Sequence, residues 1–167
     1  MKILALDLST KSAGWAIFDE KKLIDYGCVT ATNSNVLNRI PTIVEELKTI
    51  YNKYLPQEII VEEVLPEDVG HNGSVYKALM YLQALVAIEF NKYGKKLEFY
   101  TASEWRRKCG IRTGRGVKRD TLKAADIKFV KDNYMISAND DICDAICIGH
   151  AFVNKEIIID DGGFEFK

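Results

Sequence analysis

The sequence predicts an α/β domain: a five-stranded mixed sheet flanked by helices on both faces. Three observations carry this. Residues 2–8 and 58–65 are apolar runs too continuous for half-exposed strands, so each reads as a strand buried on both faces. Residues 13–18 and 23–30 are short strands separated by the turn Asp19-Glu20-Lys21-Lys22, which makes them antiparallel partners. Segments with helical apolar spacing lie between and after these strands, the alternation expected of an α/β domain.

The elements follow in order. The first run and the two strands after it form a meander. Thr32-Asn33-Ser34-Asn35 supplies cap candidates for a helix over 36–54, in which Val36, Ile40, Ile43, Val44, Leu47, Ile50 and Tyr51 recur at helical spacing, and Pro56 ends it. The second buried run, 58–65, is closed by Pro66. After the polar stretch 67–73, a helix over 74–93 carries Val75, Tyr76, Leu79, Met80, Leu82, Leu85, Val86, Ile88 and Phe90 around more than one side. A sheet can cover one face, and the excess asks for another partner, most simply a second copy of the chain. Residues 97–100 read as the fifth strand, 102–109 as a short helix, 110–117 as a loop, and 118–133 and 140–153 as helices. The tail from Lys155 is acidic and contains glycine, with no pattern that assigns an element. The expected division is a domain over 1–154 and a tail over 155–167.

Composition limits the function. No apolar run reaches the ~18–20 residues of a membrane span, and the N-terminal run already contains Asp7 and lacks a cleavage site, so no signal peptide is expected. Cys28, Cys109, Cys143 and Cys147 form no CxxC pair and have two histidines for company, which points to reduced thiols in a cytoplasmic protein rather than zinc. The net charge of −1 conceals an asymmetry, because residues 106–123 hold eight basic side chains and one acid, Asp120. Glycines interleave that run, which suits a localised polyanion contact better than a solvated helix face.

Four carboxylates carry the chemistry. Asp7 ends the first apolar run and Glu62 interrupts the second, Ile59-Ile60-Val61-Glu62. A buried carboxylate needs a cation or hydrogen bonds, and if the two strands are parallel neighbours their acids meet at one sheet edge. Asp141 and Asp144, three apart at a helix start, share a face where negative charge is tolerated. Taken singly, each has an ordinary reading as a solvated turn or a helix cap. As a set, with no His or Cys among them, they suit Mg²⁺ or Mn²⁺ and hydrolysis of a phosphodiester by two ions ~3.5–4 Å apart.

The succession Leu6-Asp7, Ser9-Thr10, Gly14-Trp15-Ala16-Ile17, Val61-Glu62-Glu63-Val64 and Asp141-Ile142-Cys143-Asp144-Ala145-Ile146-Cys147-Ile148 resembles the RuvC family of Holliday-junction resolvases, within the ribonuclease H-like superfamily. The likeness runs to about residue 153. It implies that Asp7 bridges two Mg²⁺ ions (with Mn²⁺ able to substitute), that Glu62, Asp141 and Asp144 complete the sites, and that helix 74–93 forms a homodimer. It also implies that Lys118 lies near the scissile phosphate, with Arg106 or Arg107 matching a second family lysine. The product would be paired nicks with 5′-phosphate and 3′-hydroxyl ends. DNA contacts are expected from Arg106, Arg107, Arg112, Arg115, Lys118 and Arg119.

Three departures from the family pattern stand out. The usual Asp-Pro-Gly-Ser is Asp7-Leu8-Ser9-Thr10, which alters the turn and spares the acid. Leu65 replaces a family aromatic that wedges into the junction, removing stacking worth ~1–3 kcal/mol per base. The loop at 110–117 is unusually basic, and backbone contacts raise affinity without reading sequence. These features imply relaxed sequence preference, a wider range of branched DNA (four-way, three-way and forked), and a bacteriophage-type variant working in the cytoplasm of an infected bacterium. His71, His150, Trp15 and Trp105 read as surface or packing residues, Glu63 should face away from Glu62, and Lys11 is balanced between phosphate contact and none. Three rivals are weaker: an actin-like ATPase or sugar kinase, which needs two such domains; a non-catalytic junction binder, which would not need all four acids; and a ribonuclease H, which the dimer-like helix and basic loop do not suit.

Overall fold

The computed structural model describes residues 1–69, 72–114 and 116–154, apart from the side chains of Glu67 and Asp68. The expectations for His71, Arg115 and the tail 155–167 therefore lie outside the described residues.

Strand β1 (Lys2–Asp7) runs through the middle of the sheet because Ile3, Leu4, Ala5 and Leu6 bury both of its faces. It pairs antiparallel with β2 (Ser12–Asp19), which pairs antiparallel with β3 (Lys22–Thr30) through a bulge beside Ile17 and Phe18. The chain crosses through α1 (Val36–Tyr54), started by Asn35, whose side chain accepts from the Leu37 N–H, and ended by Leu55 in a left-handed conformation. It then returns as β4 (Glu58–Glu62), parallel to β1. A 3-10 turn at Pro66–Val69 leads to α2 (Gly73–Asn91), and β5 (Leu97–Tyr100) joins β4 in parallel. The C-terminal helices are α3 (Ala102–Lys108), α4 (Arg119–Tyr134) and α5 (Asp140–Val153). The strand order is β3-β2-β1-β4-β5, a five-stranded mixed sheet as the sequence predicts. Strand β4 stops at Glu62, three residues before the expected end.

Alternation along the strands divides the core in two. Leu4, Leu6, Ile59 and Val61 pack under α1 and α2 with Ile43, Leu47, Leu82 and Phe90. Ile3, Ala5, Ile60 and Phe18 pack under the C-terminal helices with Trp105, Val130, Ile146 and Phe152. Helix α5 lies across β2 and β1, and two glycines let it come that close. A Cβ at Gly14 would run into the Asp141 carbonyl, and one at Gly149 would run into the Phe18 ring. Among the described residues no helix is long and apolar enough to cross a membrane, and all four cysteines are free thiols.

Candidate active site

Asp7 and Glu62 end parallel neighbouring strands whose register matches Leu6 with Val61. Asp7 continues the alternation of Ile3 and Ala5, and Glu62 continues that of Ile60, so both carboxylates emerge on the α5 side of the sheet. Helix α5 begins there. Its cap, Asn139, accepts the Ile142 N–H at 3.0 Å, which puts Asp141 in the first turn and Asp144 one turn on. All four acids line one cleft of about 950 Å³.

Hydrogen bonds hold two of the four, Asp141 and Glu62. The Ser12 hydroxyl donates to Asp141. The indole N–H of Trp105 donates to Glu62 Oε2 at 2.7 Å, and the Gln83 side chain donates to the Glu62 backbone carbonyl at 2.8 Å. Asp144 is 8% exposed, and its Oδ1 is buried without a hydrogen-bond partner among the described residues. Burial, then the charges of Glu62, Asp144 and Asp141, holds the Asp7 carboxyl well above the usual range, and Lys123 opposes them. Burial, then Asp126 and Glu62, pushes Asp144 up to about 8, with Arg106 opposing.

Such a set ionises together only when positive charge is added. All-oxygen donors suit a hard divalent cation, and the orphaned Asp144 oxygen is a buried acceptor with nothing to accept. Among the described residues no three His, Cys, Asp or Glu side chains are grouped tightly enough to hold one ion as they stand. The fit to metal is therefore one of donor chemistry and charge, not of a closed cage.

The basic residues divide. Arg106 and Arg119 line the cleft, as do Lys11, Arg39 and Lys123. Arg106 is committed: its guanidinium makes three hydrogen bonds of 2.8–3.1 Å to the fully buried Asp126 and is 12% exposed. Lys118 caps the N-terminus of α4 without a side-chain cap bond. It is exposed, as are Arg107 and Arg112, and none of the three lines the cleft. His150 turns to the Tyr134 hydroxyl at 2.7 Å and to the edge of Phe129, where burial lowers its pKa. Trp15 packs on Tyr54.

Sequence reasoning missed Asp126, Lys123 and the polar role of Trp105. Asp126 had a signal, since it interrupts the apolar stripe Leu122, Ala125, Phe129, Val130 of α4. Lys123, ion-paired with Asp140, had none, because its proximity to Asp7 comes from the packing of α4 on α5.

The sequence model of the crossover junction endodeoxyribonuclease RuvC matches residues 3–150. The chain belongs to the RuvC family. Solved structures agree on the fold. Thermus thermophilus RuvC in complex with Holliday junction substrate superposes with a TM-score of 0.71 at 11% identity, covering 90% of this chain and 91% of that one. Fowlpox virus resolvase in complex with substrate Holliday junction DNA gives 0.60 at 17% identity, covering 92% and 97%. The yeast mitochondrial Holliday junction resolvase gives 0.56 at 13%, covering 90% and 77%. No curated protein sequence matches. The ribonuclease H-like fold of the RuvC family is thus present, and the activity that defines the family is endonucleolytic cleavage of DNA at crossover junctions.

Proposed function

We propose that this chain resolves Holliday junctions and other branched DNA by paired nicks, hydrolysing the phosphodiester in the cleft formed by Asp7, Glu62, Asp141 and Asp144. One observation carries the reading: four acids from two strand ends and one helix converge on a single cleft, with a buried carboxylate oxygen that has no hydrogen-bond partner among the described residues. RuvC-family resolvases depend on divalent metal, and these acids would hold two Mg²⁺ ions, for which Mn²⁺ substitutes. When bound, the ions supply charge neutralisation at the scissile phosphate and activation of the attacking water. The chain's own contribution is positional. Asp7 feels the charges of the β4 and α5 acids, Lys123, ion-paired with Asp140, adds positive charge near Asp7, and Ser12 steadies Asp141.

Around the cleft, Arg119 and Lys11 meet the DNA backbone, and the exposed Arg107, Arg112 and Lys118 extend that contact along the duplex arms. Leu65 offers no aromatic surface for a base, so the preference for cleavage sequence is relaxed, as in resolvases of bacteriophage type. A homodimer through α2 supplies two cleavage sites related by a two-fold axis, matching the symmetry of a four-way junction.

Asp7→Asn tests the assignment. The variant is expected to bind a four-way junction in a mobility-shift assay and to cut it at a rate reduced at least 1,000-fold in Mg²⁺, on the order of one oxyanion-site loss or more. Retained nicking would sink the four-acid site.

A further inference from the structure

The indole of Trp105 is fully buried in the core under α5, where a tryptophan N–H takes whatever acceptor the packing offers. The acceptor here is a carboxylate oxygen of Glu62, 43 residues away in the chain. We propose that Trp105 is a positioning residue for the metal site: its N–H holds the Glu62 carboxylate in the orientation that receives the divalent ion. This rests on Glu62 being a metal ligand, as proposed above.

Three features make the contact a fixture. Helix α3 is locked at its start by a capping box in which Thr101 and Glu104 satisfy each other's backbone N–H groups. The Arg106 guanidinium lies 4.3 Å from the Trp105 ring centroid and is itself held by the fully buried Asp126, so the ring is backed by a side chain that cannot swing away. The Glu62 backbone is tied independently, its carbonyl accepting from Gln83 of α2 at 2.8 Å. The main chain of Glu62 is therefore fixed from one side of the sheet and its carboxylate from the other. The last torsion of a glutamate is intrinsically broad, and a hydrogen bond to Oε2 narrows it and sets the direction in which Oε1 is presented. An indole suits this task because it donates one hydrogen bond, accepts none and carries no charge, so it orients the carboxylate without neutralising it. Partners that orient a ligating carboxylate typically contribute 10–100-fold in metal affinity.

The test separates orientation from packing. Mn²⁺ binding to the DNA-free protein is titrated by electron paramagnetic resonance for wild type, Trp105→Phe, Glu62→Gln and the double variant, alongside the Mg²⁺ dependence of junction cleavage. Trp105→Phe is expected to weaken Mn²⁺ binding 10–100-fold and to raise the half-saturating Mg²⁺ for cleavage by a similar factor, with the plateau rate approached at high Mg²⁺. In the Glu62→Gln background the same change is expected to add no further loss. Should the phenylalanine variant fail to fold, Trp105 is replaced by 3-benzothienylalanine, which keeps the bicyclic shape and removes only the donor. Wild-type affinity in the variant that lacks the N–H, or an equal loss with and without Glu62, overturns the proposal while leaving the four-acid site standing. Wild-type Mn²⁺ binding by Glu62→Gln overturns the site reading itself.

Discussion

Asp144 shows what a buried acid costs without its counter-charge. Its carboxyl is pushed up to about 8, by burial first and by Asp126 and Glu62 next. The unfolded chain, with an ordinary carboxyl, holds fewer protons than the folded one between about pH 4 and pH 8. Stability must therefore fall as pH rises through that window, and Asp7 pushes in the same direction. In EDTA, the melting temperature is expected to drop steadily from pH 5 to pH 8.5, and Asp144→Asn should flatten the slope. A flat wild-type profile would contradict the burial of these acids. Millimolar Mg²⁺ should restore most of the loss at pH 8, by RT ln(1 + [L]/Kd). At this scale the sequence was legible where an acid breaks an apolar run, as Asp7 and Glu62 do. It was opaque where a role depends on a distant partner. Trp105 looks like any core aromatic until β4 is beside it, and Arg106 looks like a DNA contact until Asp126 is found buried beneath it.

At the scale of elements, the placement of α5 decides whether there is a site at all. Gly14 of β2 faces the Asp141 carbonyl at a separation no side chain tolerates. Gly14→Ala forces α5 to lift at its first turn, the turn that carries Asp141. Junction cleavage is expected to fall at least 100-fold, a loss of the size seen when a reacting geometry shifts by about 1 Å. The melting temperature should also drop, as overpacking costs ~1–3 kcal/mol. Unchanged cleavage by a folded Gly14→Ala protein would show that α5 adapts. The order and kind of the elements were readable, because buried strands and amphipathic helices leave different apolar periods. Boundaries were less so. Strand β4 ends at Glu62, although Val64 and Leu65 continue the apolar character. Only the sheet partner decides where a strand stops.

At the scale of the whole molecule, α2 leaves apolar surface facing outward. Tyr81 and Ile88 are 47% and 57% exposed, with Ala84 exposed between them at helical spacing. If this stripe is the dimer seam, Ile88→Glu places two charges against each other across the two-fold axis. By sedimentation the variant is expected to run as a monomer where wild type runs as a dimer, and on a four-way junction to give single nicks in place of paired ones. Dimeric Ile88→Glu protein would exclude this face. The excess of apolar residues in 74–93 was visible in the sequence, because a helix with one partner needs only one apolar stripe.

The convergence of acids from both ends of the chain also bears on when the protein becomes dangerous to DNA. Asp7 and Glu62 leave the ribosome early, whereas Asp141 and Asp144 sit on the last described helix. At ~5–20 residues per second, on the order of ten seconds of synthesis pass between the first acid and the last. If these four acids form the site, no more than half of them exist during nearly all of that interval and nothing can be cut. On the four-acid reading, competence arrives in one step, when α5 settles with its first turn against Gly14 and its Gly149 against Phe18, so the chain carries its own delay between birth and cleavage.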